Sequence, residues 1–178
     1  RLHTEAGIYH FSIPELSEVD ALTLLRHEAR VSNLSVVAKA DDLTLQPIFE
    51  IVGGNPLALR LVVGQLHFHE LQQVLADLTL ARGKKAETLY RYIYQSAWQH
   101  LGEAARQIWL LLPLLSEPEA TLATLIEFSE LPTVIVREAL EQLVLQNLIN
   151  CHGTLHERRY SLHSLTRTFL HEQVARWK

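Results

Sequence analysis

The stretch Gly53-Gly54-Asn55-Pro56-Leu57-Ala58-Leu59-Arg60 restricts this chain's fold more than any other. Paired glycines free the backbone from the limits set by a Cβ, and Pro56, lacking an N–H, suits the first turn of a helix. One helix therefore ends at the glycines and another begins near Pro56. The first-turn N–H groups and the flat proline ring can be offered to a ligand or a neighbouring domain. The same octapeptide also fits a plain corner between two helices.

Pro56 to Leu66 is apolar on nearly every side, the composition of a central helix with neighbours all round it. Ser17-Glu18-Val19-Asp20 approximates a capping box, and Ala21, Leu22, Leu24, Leu25 and Ala29 follow at helical spacing, so a helix is read from Ser17 to Arg30. A polar join through Ser32, Asn33 and Ser35 leads to a short helix over Leu43, Leu45, Ile48, Phe49 and Val52, with Pro47 in its first turn. Leu71, Val74, Leu75 and Leu78 mark one more helix, and Arg82-Gly83-Lys84-Lys85 makes a basic break. These segments read as a four-helix, all-α domain spanning 14–82.

Upstream, Ile8 to Ile13 alternates like a half-buried strand with no partner before Asn150, so residues 1–13 are read as the last strand of a preceding domain. Downstream, Leu89, Ile93, Ala97 and Leu101 share one helical face with Tyr90, Tyr94 and Trp98 beside it. Further helices follow around Ile108, from Ala120 to Glu130, and from Pro132 at a first helical position to Leu148. The period then changes. Leu148 to His152, a turn at Gly153-Thr154, and Arg159 to Leu162 read as a β-hairpin, followed by a last helix from His163 or Ser164 to Trp177. Helices with a hairpin behind the last long one describe a winged helix over 83–178. The expected fold class is thus mainly α, a four-helix domain followed by a winged-helix domain with one small hairpin.

Composition narrows the function. A net charge of -4 gives no general attraction to polyanions. The recognition-helix face would mix Arg137 with Glu138 and Glu141, which is poor for DNA, although Arg158 and Arg159 leave a basic wing as an alternative route to duplex binding. Cys151 is the single cysteine, which fits a reducing, cytoplasmic setting and excludes a thiolate zinc cluster. No apolar run reaches the roughly 20 residues that span a bilayer. The histidine pairs at His67-Phe68-His69 and His152 to His156 lack ligand companions at metal spacing and read as solvated, so no metal is expected. No Gly-x4-Gly-Lys-[Ser/Thr] occurs, and the chain by itself is not expected to be an enzyme. It begins with Arg1 and contains no methionine, which reads as a piece of something longer.

Gly54-Asn55-Pro56-Leu57 on an all-α domain, followed by a winged helix ending in Tyr160-Ser161-Leu162-His163-Ser164-Leu165, resembles the carboxy-terminal half of NB-ARC type STAND ATPases. Gly54 and Pro56 match that family's Gly-x-Pro motif. Leu162-His163 matches part of its Met-His-Asp motif, with Ser164 in place of the aspartate. The resemblance implies an ADP/ATP-sensing switch controlling closure and oligomerisation. Pro56 would pack near the adenine, His163 would approach the β-phosphate of ADP, and Arg1 would be a sensor arginine. It implies binding of ADP or ATP only with an upstream nucleotide-binding domain, that domain and downstream sensor repeats as partners, and a homo-oligomer on activation. A DNA-binding winged-helix regulator and an inert protein-interaction module are the competing readings, with no membrane partner in any of them.

Overall fold

The structure, a computed structural model, describes residues 4–5, 8–9, 14–82, 86–154 and 157–174. It is mainly helical, with ten α-helices among the described residues and a small three-stranded antiparallel sheet. No helix among them is long and apolar enough to cross a membrane.

At the amino end, β1 (Thr4–Glu5) pairs antiparallel with β2 (Ile8–Tyr9). The strand expected to be unpartnered therefore finds its neighbour a few residues upstream, a local pairing too short for periodicity to register. Residues 10–13 and Arg1 lie outside the described residues.

Helix α1 (Glu18–Val31) starts where Ser17 Oγ accepts the Asp20 N–H and donates to the Asp20 carboxylate at 2.6 Å. It buries Ala21, Leu22, Leu25 and Ala29. The join read after it contains a one-turn helix, α2 (Ser35–Ala38), which brings the helices of this half to five rather than four. Four residues carry too little periodicity to show in sequence. Arg26 holds the following connection, its Nε donating to the Ala40 carbonyl and its guanidinium pairing with Asp42.

Helix α3 (Asp42–Val52) begins earlier than expected because Asp41 caps it, accepting from Thr44 N at 2.9 Å. Pro47 consequently lies inside the helix, past the first turn, and forgoes one ladder hydrogen bond. Helix α4 (Pro56–Gln65) buries Leu57, Ala58, Leu59, Leu61, Val62 and Val63 and is surrounded by α1, α3 and α6 (Ala86–His100). Helix α5 (Leu71–Arg82) closes the group by packing on α3 and α6.

The second half runs α7 (Glu103–Leu111), a 3-10 turn (Leu112–Leu114), β3 (Glu119–Thr121), α8 (Leu122–Ser129), α9 (Thr133–Leu145), β4 (Asn150–Gly153), β5 (Arg158–Ser161) and α10 (Ser164–Val174). Strand β5 lies between β3 and β4, with Ala120 opposite Tyr160 and Asn150 opposite Ser161. Sequence reading assigned the residues of β3 partly to a helix. The helix instead starts after Thr121, whose hydroxyl accepts from Thr124 N, and the hairpin gains a third strand. Pro132 is the residue before α9, with φ -57° and ψ 142°, instead of occupying its first position. Tyr94 anchors this core, bonded to the buried Thr166 hydroxyl at 2.7 Å and with its ring packed at a tilt against Trp109 and Phe169.

Candidate functional site

The glycine corner is shaped by the segment that crosses it. Gly53 has φ +72° and ends α3 by donating to the Phe49 carbonyl. Gly54 lies under residues 15–16: Leu16 N donates to its carbonyl at 2.9 Å, and its own N–H donates to Glu15 Oε2 at 3.1 Å. A Cβ on Gly54 would sit 2.1 Å from the Leu16 oxygen, so only glycine permits this crossing.

The expectation that first-turn N–H groups of α4 are free for a ligand does not hold. Asn55 Oδ1 accepts from Leu57 N at 3.0 Å and Ala58 N at 3.2 Å, and Leu59 N bonds the Asn55 carbonyl. Pro56 has no N–H to give. With the Glu15 carboxylate also at the corner, an anion is unwelcome there. What the corner presents is the exposed Pro56 ring, an apolar flat surface.

His163 is exposed at the other candidate position, where it is the N-cap of α10: its Nδ1 accepts the Leu165 N–H at 3.3 Å. Its structural task is therefore real, as for any helix-start capping residue. With Nδ1 accepting, the neutral ring carries its proton on Nε2, which leaves one donor. Desolvation of the ring and then the positive charge of Arg60 hold its pKa below the ordinary histidine value.

Arg60 lies on the helix that Pro56 opens and bonds the strand paired with the one leading to His163, and sequence reading missed it. It lies on α4 one turn after Pro56, about 6 Å along the axis. Its Nη1 donates to Asn150 Oδ1 at 3.1 Å, its Nε is 3.3 Å from Glu28 Oε2, and its carbonyl accepts from Asn147 Nδ2 at 2.9 Å. Asn147 has φ +56°, the left-handed turn that ends α9 and aims its side chain at α4. Alongside, a Cβ on Gly64 would lie 2.2 Å from the Gln146 carbonyl oxygen, so the backbones nearly touch. Gln65 Oε1 accepts from Ser96 on α6 at 2.7 Å. The available sequence signal was a lone cation in an otherwise apolar helix.

Arg60 also lines an open groove of about 1320 Å³ shared with Glu28, Arg137, Glu141, Glu157 and Arg158. Among the described residues its guanidinium and carboxylate side chains are equal in number, so they form no cationic track. Nearby Arg159 lies 3.4 Å from Glu157, and His152 pairs with Glu119 at 2.9 Å. Cys151 is exposed on the same groove.

His67 and His69 are not simply solvated, as read from sequence. Their Nε2 atoms are shut off from solvent and have no hydrogen-bond partner among the described residues, and the His69 ring meets His100 edge-on at 4.6 Å. Burial lowers the pKa of His67. Among the described residues no group of three or more His, Cys, Asp or Glu side chains is arranged to hold a metal ion, and His156 lies outside them. No protein-family model matches the chain, and no curated protein is similar to it.

Proposed function

We propose that the chain is the regulatory, nucleotide-sensing part of a STAND-type switch: a helical Gly-x-Pro domain over 14–82 and a winged-helix domain over 83–178. ADP, held jointly with a nucleotide-binding domain that precedes them in the longer polypeptide, keeps the assembly closed. Residues 1–13 would belong to that preceding domain, with Arg1 as its sensor arginine. In this reading the order α7, β3, α8, α9, β4, β5 with β5 central supports the winged-helix assignment.

The observation that carries the reading is the pairing of two exposed groups through one side chain. Pro56 and His163 are both exposed, and Arg60, one turn from Pro56, bonds Asn150, whose register partner Ser161 lies two residues before His163. The chemistry of each suits its role. The Pro56 ring, beside a carboxylate and with the surrounding N–H groups already bonded, favours an uncharged flat surface such as a purine over a phosphate. His163 keeps one N–H for an acceptor such as the β-phosphate of ADP. Exchange for ATP would remove the His163 contact and let the second domain swing, exposing surfaces for homo-oligomerisation. A differential contact of this kind is worth on the order of 1–3 kcal/mol, enough to shift a closed–open equilibrium by about 5- to 150-fold. The chain itself performs no catalysis in this scheme.

Joined to the nucleotide-binding domain, the His163→Ala variant should assemble irrespective of whether ADP or ATP is supplied. Assembly that kept its full nucleotide dependence would refute the sensor role.

A further inference from the structure

We propose that Arg60 is a positioning residue for His163: by anchoring α4 to the start of β4 it fixes a positive charge at the end of the sheet that leads into His163, so that His163 meets its ligand as a neutral Nε2–H donor to an anionic oxygen. The inference rests on the reading of His163 as ligand-facing.

Geometry places the two residues independently of any titration. Arg60 Nη1 is bonded to Asn150 Oδ1, and Asn150 is the register partner of Ser161, two residues before His163. The guanidinium is thus held at the end of the sheet from which the chain passes into α10. It is tied to several elements at once, by the Glu28 ion pair to α1, by Asn150 to β4, and through its carbonyl by Asn147 to the turn after α9. A long side chain fixed in this way presents its charge at one place instead of averaging it over many rotamers.

Three influences on the imidazole agree. The Leu165 N–H occupies Nδ1, the atom that a second proton would need. The amino end of α10 contributes the positive pole of its backbone dipole. Arg60 on α4 adds a full positive charge, moderated by Glu28 on α1. Arg167, on the second turn of α10, is directed instead to the carbonyls of Pro113 and Pro118, at 3.3 and 3.4 Å. An uncharged donor makes a weaker contact with an anion than an imidazolium would, and a weaker contact is released by a small displacement. A sensor that must let go when its ligand changes is better served by that contact.

The test is long-range ¹H–¹⁵N spectroscopy of the 178-residue chain, labelled at histidine and titrated between about pH 5 and pH 8. Wild-type His163 should show the Nε2–H tautomer and a midpoint below about 6.5. Arg60→Gln should raise the midpoint by about half a pH unit or more, whereas Arg60→Lys, which keeps the charge, should leave it low. A purely structural role for Arg60 would leave the midpoint unmoved in Arg60→Gln. That result, or an Nδ1–H tautomer in the wild type, would overturn the proposal. If Arg60→Gln does not fold, the wild-type tautomer and the midpoint of Asn150→Ala decide, the latter rising because the guanidinium is no longer held. No nucleotide enters the experiment, so its failure is distinct from failure of the switch reading, which the assembly of His163→Ala decides.

Discussion

Asn55 and His163 hold the same structural post, the residue just before a helix, and they fill it differently. Asn55 spends its amide oxygen on two N–H groups, Leu57 and Ala58, with Pro56 between it and them. His163 accepts a single N–H on Nδ1 and retains a proton on its far nitrogen. One cap closes its helix end and leaves only a hydrocarbon ring facing outward. The other closes its helix end and still has a donor to use. The contrast shows that an N-cap is not by itself a binding site. What matters is whether the capping side chain has a second polar atom and whether the surroundings leave that atom unpaired.

The strongest way to break the comparison is at the crossing beneath the first cap. Gly54→Ala places a methyl against the Leu16 backbone, which cannot yield as a side chain could, and should cost about 3 kcal/mol or more, read as a fall in Tm of about 6–12 °C. The His163 end has no such crossing among its contacts and should be untouched, with the α10 cap intact by amide exchange. A Gly54→Ala variant as stable as the parent would mean that residues 15–16 do not run over the corner.

The caps themselves sharpen it. Asn55→Ala should destabilise by about 1 kcal/mol in denaturant unfolding, since two N–H groups lose their partner. His163→Ala should cost about half as much, because one long bond is lost. His163→Asn restores a capping oxygen and should recover that stability without restoring the donor geometry of the ring. Recovery of folding without recovery of nucleotide response would separate the two tasks of the residue.

The smallest effects are those of pH. His67 and His163 both bind protons less readily in the folded state, His67 through burial and the exposed His163 through partial desolvation of its ring and then the Arg60 charge. The unfolded chain therefore takes up more protons as pH falls below about 6.5, and stability should decline in that direction. At the alkaline end, burial pushes Tyr92 and Tyr94 up to about 12, so the stability they contribute is present below about pH 10 and is lost as pH rises towards 12. Replacing His67 by Phe should flatten the acid limb more than the alkaline one in a Tm-versus-pH profile.

Sequence made the local rules visible and left the distant ones dark. The Ser17 cap, the Pro56 helix and the β4–β5 hairpin depend on neighbours a few residues away, and their signals lie side by side in the chain. Pro47 was wrongly assigned to the first turn of α3 because a proline suits that position, whereas the Asp41 carboxylate caps the helix more than a turn earlier. Strand β3 forms because β5 is beside it, not because three residues favour extension. At the candidate site, Gly54, Pro56 and His163 could be named from motif and position. Arg60 could not, since its partners lie at positions 28, 147 and 150. The bond from the Gly54 N–H to Glu15 was equally hidden, because the two lie 39 positions apart, whereas the Asn55 cap over Leu57 and Ala58 is local and its signal lay inside the motif itself.

Whether His163 donates to a nucleotide phosphate in a closed state, as proposed, is decided by following its Nε2 resonance in a polypeptide that joins this chain to the nucleotide-binding domain proposed to precede it. ADP should shift the Nε2–H signal and protect its proton from exchange, and replacing ADP with ATP should return both to their nucleotide-free values. A resonance indifferent to ADP, or one that responds equally to ADP and ATP, would contradict the proposal.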